Sequence, residues 1–147
     1  NNHFYACYDG GYYTIFCDDL AKSIIEDNRF VGMRFNDIIW HKKNCILPNV
    51  HQMVFETVLP RESIVLDDHV REVACKGCGK IQYFYTNDFR LGIKEMYLSE
   101  GVDFYSTPAM FGEGGVYELS IVSQRVYRTL KDHKMTRNLC FEPVVLY

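Results

Sequence analysis

Two stretches of this 147-residue chain, about 12–40 and about 116–146, read as copies of one unit, and a unit used twice constrains the fold more than any single residue does. The first contains YYTIFCDDLAKSIIEDNRFVGMRFNDII and the second YELSIVSQRVYRTLKDHKMTRNLCFEPVV. With Ile15 set against Ile121, Phe16 meets Val122, Cys17 meets Ser123, Leu20 meets Val126, Lys22 meets Arg128, Ser23 meets Thr129 and Ile24 meets Leu130. Further on, Phe35 meets Phe141 and Asn36 meets Glu142. Each copy reads as a short apolar strand, a small polar residue, a helix of about three turns, a turn and a second strand. A scaffold built twice favours a binding module over a catalytic one.

In the first copy Leu20, Ala21, Ile24 and Ile25 place one apolar stripe on a helix that Asp18 caps and Gly32 ends. In the second, Val126, Tyr127 and Leu130 form the stripe, Ser123 takes the cap position and residues 136–138 make the exit turn. Strands are expected at 12–16, 33–40, 119–122 and 139–146, with Pro143 marking the last as an edge or bulged strand. Between the copies, residues 50–86 supply connecting strands and a knuckle: 50–59 alternates as a strand, 62–73 is ambiguous, and Ile81, Tyr83 and Tyr85 alternate after the cysteine pair. Residues 101–115, rich in Gly, Ser, Pro and aromatics, read as a long loop. The pairs Gly10-Gly11 and Gly114-Gly115 precede strands, so they read as equivalent turns and not as phosphate cradles. The expected fold is α+β, with two strand-helix-strand repeats packed as a mixed or antiparallel sheet, helices on one side, and a CxxC knuckle hairpin, in a single domain over residues 1–147.

At 48% apolar and 24% charged the chain has an ordinary globular composition, and no apolar run is long enough to span a bilayer. The sequence opens on Asn1 with no signal-peptide pattern, and the absent Met suggests an upstream start. Six cysteines, only two of them closely spaced, fit a reduced cytoplasmic setting in which isolated thiols act as small buried hydrophobes. A net charge of -3 disfavours a nucleic-acid partner, although Arg125, Arg128, Lys131 and Lys134 recur every third position and give the second helix a basic face. The first helix carries Asp18, Asp19, Glu26 and Asp27 instead, a solvated face or a surface complementary to a basic partner. Trp40, at a strand end, is expected in the core, with an interface hot spot as the alternative.

The sharpest chemical motif is Cys75-Lys76-Gly77-Cys78-Gly79-Lys80, whose two thiols can grip one zinc ion from a tight turn. That is half of a tetrahedral site, and a second CxxC is missing. Partners could come from His41 and Cys45, or from His51 and His69; the alternative is an empty, reduced turn. A thioredoxin-like role fits less well, because the pair does not open a helix after a strand. For hydrolysis, Cys17, Asp18, His41 and His69 are available, but no spacing links a base to a nucleophile.

The CxxCG knuckle, the Asp103-Phe104 segment, the strand with IVSQR, a helix and the closing CFEPV resemble the double-CXXCG motif family, commonly grouped with bacterial immunity proteins of polymorphic toxin systems. The likeness covers about 10–40 and 73–147, and the family's first CxxCG is absent here. The resemblance implies a non-enzymatic cytoplasmic protein that binds and neutralises a cognate toxin by stoichiometric occlusion, with homodimerisation open. Asp18, Asp19, Glu26 and Asp27, or Asp67 and Asp68, are then the candidate contacts. The rival reading is a zinc-knuckle adaptor or nucleic-acid-binding module using the cysteine pair and the basic helix.

Overall fold

The computed structural model describes residues 2–9, 12–85, 89–108, 111–112 and 117–147; the glycine pairs at 10–11 and 114–115 lie outside the described residues. Among the described residues the chain is α+β, with several antiparallel sheets and two α-helices. Strands β1 (Phe4–Asp9), β2 (Tyr12–Cys17), β3 (Met33–Trp40) and β4 (Cys45–Phe55) form an antiparallel sheet in the order β1-β2-β4-β3. Because side chains alternate faces along a strand, the cross-strand rows Phe4/Cys17/His51/Asp37 and Ile15/Met53/Phe35 share one face. Phe4, Cys17 and Met53 are buried, so this is the core face, with α1 (Asp19–Asp27) packed against it.

Helix α1 forms where the cap and stripe place it. Asp18 Oδ1 accepts from the Ala21 N–H at 2.9 Å, and Ala21 and Ile25, four apart on one face, are buried. Leu20, expected in that stripe, is exposed instead. The helix stops at Asp27, with Asn28 as C-cap and Arg29 left-handed at φ 51°, so Gly32 does not end it. Gly32, at φ 104°, serves a close approach: a Cβ there would lie 2.3 Å from the Phe104 carbonyl oxygen.

The second helix, α2 (Gln124–Asp132), repeats these features one by one. Ser123 Oγ accepts from the Val126 N–H, Val126 and Leu130 are buried, and Lys134 is left-handed at φ 58°. The caps therefore align Asp18 with Ser123, Ala21 with Val126, Ile25 with Leu130 and Arg29 with Lys134, one residue away from the Ile15/Ile121 alignment. The likeness also extends to the strand that precedes each of these units. Phe4 on β1 lies opposite Cys17, as Phe104 on β9 (Phe104–Ser106) lies opposite Val122 on β10 (Ser120–Val122). The Asp18 N–H donates to the His3 carbonyl at 3.1 Å, and the Ser123 N–H to the Asp103 carbonyl at 2.8 Å. Phe104–Ser106, expected within a loop, is thus a strand; all three of its residues are buried, so no alternation betrays it.

After the helices the stretches diverge. The expected strand over 139–146 is reduced to β11 (Val145–Leu146), which runs parallel to β8 (Gly92–Ile93), itself paired with β5 (Ile64–Val65). Pro143 has no N–H to offer a ladder, and pairing starts only two residues later. Nor do the two stretches share a sheet, since β9 and β10 form a separate pair. Both helices still bury their stripes in one core with Phe4, Cys17, Met53 and Phe104. A second core, with Leu59, Tyr83, Ile93, Tyr105, Phe111 and Ile121, lies against the hairpin β6 (Val70–Ala74) and β7 (Ile81–Tyr85). Neighbouring residues of β9 serve both cores: Phe104 faces the first and Tyr105 the second.

Candidate functional site

The four acids of α1 divide into two groups. Asp18 is engaged by its cap and by His3 Nδ1, 2.8 Å from its Oδ2. Asp19 Oδ1 lies 2.7 Å from His51 Nε2. Glu26 and Asp27 sit at the other end, about 12 Å away at the α-helical rise, and both are exposed. Acids in the first turn favour the helix macrodipole; acids in the last turn oppose it, and no basic residue is there to offset them.

His51 joins α1 to the sheet. It occupies the core face of β4 between Cys17 and Asp37, its ring meets Phe35 edge-on at 6.3 Å, and its Nδ1 is 3.9 Å from Asp37 Oδ1. The two carboxylates that bracket it, Asp19 and Asp37, are each 60% exposed. The sequence signal for this arrangement is a polar residue two positions before Met53 on a core-facing row.

Beyond this row β2 has ended, since Cys17 pairs with His51, whereas β3 and β4 continue together to Trp40/Cys45. The extension is a two-stranded ribbon, kinked where the register shifts between Asp37 and Ile39 and where Asn49 is left-handed at φ 63°. Ile39, Trp40 and Ile46 on it are 57%, 42% and 59% exposed, and Lys43 Nζ sits 4.5 Å from the centroid of the Trp40 ring. Trp40 is therefore not a core residue, because the ribbon leaves the layer that α1 covers. Ile39 and Ile46, paired across the strands, share one face of the ribbon and Trp40 takes the other, so each face offers exposed apolar surface of the kind that suits a macromolecular partner.

Asp103 is the principal buried charge, only 4% exposed. It accepts from Ser123 Oγ at 2.7 Å, from Arg125 Nη2 at 2.6 Å and Nε at 3.2 Å, and from the Val31 N–H at 3.2 Å. Burial alone would raise its pKa, but the hydrogen bonds from Arg125, Ser123 and Val31 outweigh it and hold the carboxyl below its ordinary value. The Arg125 guanidinium also stacks 4.7 Å from the Phe30 ring centroid. Arg125 is thereby taken out of the expected basic face, and Lys134 lies past the end of the helix, leaving Arg128 and Lys131 exposed on it.

Zinc is not supported. Cys75 and Cys78 lie in the turn joining β6 and β7, whereas His41 and Cys45 lie at the β3–β4 turn of a different sheet. Among the described residues no group of three His, Cys, Asp or Glu side chains comes together to hold a metal ion, so the cysteine pair stands as the two-ligand half-site seen in the sequence. All six cysteines are free thiols. His69 follows Asp67, whose side chain accepts from the His69 N–H at 2.9 Å, so Asp67 and Asp68 belong to a local turn before β6.

The nucleophile considered for hydrolysis is disarmed. Cys17 is fully buried and its thiol is pushed up to about 12 by desolvation and by the neighbouring Asp18, so it stays protonated. An apolar cleft of about 810 Å³ lies between α2 and the segment 139–144, and its lining carries one charged side chain, Glu142. No helix among the described residues is long and apolar enough to cross a membrane. No protein-family model, curated protein or solved structure matches the chain.

Proposed function

We propose that this chain is a bacterial immunity protein that binds a cognate toxin domain and neutralises it by occlusion. The observation that carries the reading is the β3–β4 ribbon, where Ile39 and its partner Ile46 are exposed on one face, Trp40 is exposed on the other, and the Asp37/His51 row, with Asp19 on His51, stands at the base. Exposed aromatic and aliphatic side chains are the residue types of a protein-binding hot spot, and the acids complement a basic toxin cleft. On this reading, a β-hairpin and helix were duplicated to make the platform: the matched caps, buried stripes and preceding strands support a copied unit, and the ribbon is the decoration on the first copy.

Co-expression with the toxin encoded beside this chain should give a stable complex and protect the cell. Trp40→Ala should weaken the complex by about 2 kcal/mol or more, as for a central anchor, with a smaller loss in the free protein's stability because the residue is already 42% exposed. Absence of a complex, or full affinity in the Trp40→Ala variant, would remove the assignment.

The last turn of α1 offers a second check. Replacing Glu26 and Asp27 with Lys should stabilise the free protein by roughly 0.3–1 kcal/mol, by converting an unfavourable dipole interaction into a favourable one. If those acids also face the toxin, association should slow and its salt dependence flatten. Urea denaturation and stopped-flow binding separate the two effects.

A further inference from the structure

The turn from Cys75 to Lys80 is a chemical group that occlusion does not use. It is closed by two backbone hydrogen bonds, from the Cys75 N–H to the Lys80 carbonyl and from the Gly79 N–H to the Cys75 carbonyl, each 2.8 Å. Gly79 makes the exit possible, at φ 72°. Hydrogen bonding from the Cys78 and Gly77 backbone and from the Cys78 thiol lowers the Cys75 thiol below its ordinary range. Cys75 is partly exposed and Cys78 is exposed, so reagents in solution reach both.

We propose that Cys75 and Cys78 form a redox-active dithiol, with Cys75 as the attacking sulfur and Cys78 as the resolving one, whose oxidant is a small-molecule disulfide of the glutathione class. The Cys75 thiolate attacks one sulfur of the reagent; the reagent's S–S bond breaks, one thiolate leaves, and a mixed disulfide forms on Cys75. Cys78 then loses its proton to solvent and its sulfur attacks Cys75 Sγ, releasing the second thiolate. Two cysteine thiols have been oxidised to one intramolecular disulfide and the reagent has been reduced to two thiols, which take up the two protons. Both cysteines lie in one backbone-closed turn between β6 and β7, so the disulfide links two residues of the same turn. The rest of the chain supplies internal standards: Cys7, Cys45 and Cys140 are exposed single thiols, and Cys17 is buried.

The test is oxidised glutathione added to the full reduced chain, followed by intact-mass measurement and peptide mapping, with iodoacetamide competition at pH 7 on the reduced protein. The proposal expects loss of two hydrogens with the link mapped to Cys75–Cys78, and circular dichroism unchanged. It expects alkylation of Cys75 about tenfold faster than that of Cys7, Cys45 or Cys140, with Cys17 last. Cys78→Ser should stop at a stable glutathione adduct on Cys75, and Cys75→Ser should leave Cys78 no faster than the single thiols. A wild-type chain that keeps the mixed disulfide unresolved, or in which Cys75 reacts no faster than Cys7, Cys45 and Cys140, would overturn it. The outcome is independent of whether the chain binds a toxin.

Discussion

Asp103→Ala is expected to lower the unfolding free energy by about 3 kcal/mol, the lower end of the range for breaking a buried charge pair, because Arg125 remains half exposed and can be rehydrated. The carboxylate receives hydrogen bonds from three separate places: the loop after α1 through Val31, the cap of α2 through Ser123, and the first turn of α2 through Arg125. Its backbone continues the junction, since the Asp103 and Phe104 N–H groups both donate to the Val31 carbonyl. Removing the side chain leaves the Val31 N–H and the Ser123 hydroxyl without this acceptor, in a setting where unpaired polar groups are costly. Urea denaturation measures the loss, and a change below about 1 kcal/mol, the size of an exposed ion pair, would show that the junction is not a clamp.

The same residue sets an acid limit. A carboxyl held below its ordinary value of 3.8 in the folded state binds protons more readily when unfolded. Its contribution is therefore complete above that value and is lost as the pH falls through the still lower folded value. Stability of the wild-type chain should rise with pH across this acid window, and Asp103→Asn should flatten that part of the profile. A profile unaltered by Asp103→Asn would assign the acid sensitivity elsewhere.

Gly32→Ala is expected to cost roughly 2–6 kcal/mol, the sum of a strained backbone and an overpacked contact. Gly32 is at φ 104°, outside the left-handed well that other residues tolerate, and an added Cβ would meet the Phe104 carbonyl oxygen at 2.3 Å and a Val102 methyl at 3.0 Å. Backbone cannot yield as a flexible side chain does, so the loop carrying Val31 would have to lift away from β9 and lose its hydrogen bonds to Asp103 and Phe104. The effect should overlap with that of Asp103→Ala, and the double variant should fall short of the sum of the two single losses. Full additivity would mean that the two residues stabilise different contacts.

Much of the local structure was legible because it depends on short-range chemistry. Asp18 and Ser123 are caps, Ala21/Ile25 and Val126/Leu130 are stripes at helical spacing, and β3 begins and ends where the apolar pattern does. What failed depended on partners far away in the chain. Gly32 looked like a helix stop, yet its role is defined by Phe104; Trp40 looked buried, yet β2 ends before the layer reaches it. Arg125 looked like one of four surface cations, but a carboxylate 22 positions earlier in the chain claims it. Phe104–Ser106 looked like loop because a strand buried on both faces has no alternation to read.

The sequence by itself determined the α+β character, the two capped helices and the cysteine turn, because caps, helical stripes and tight turns are set by residues within a few positions of one another. Tertiary structure alone decided that β9 and β10 stand apart from the four-stranded sheet, that Asp103 ties α2 to the loop after α1, and that His41 and Cys45 lie on a different sheet from Cys75 and Cys78. These are contacts between residues distant in the chain, and their geometry is fixed only when both cores close.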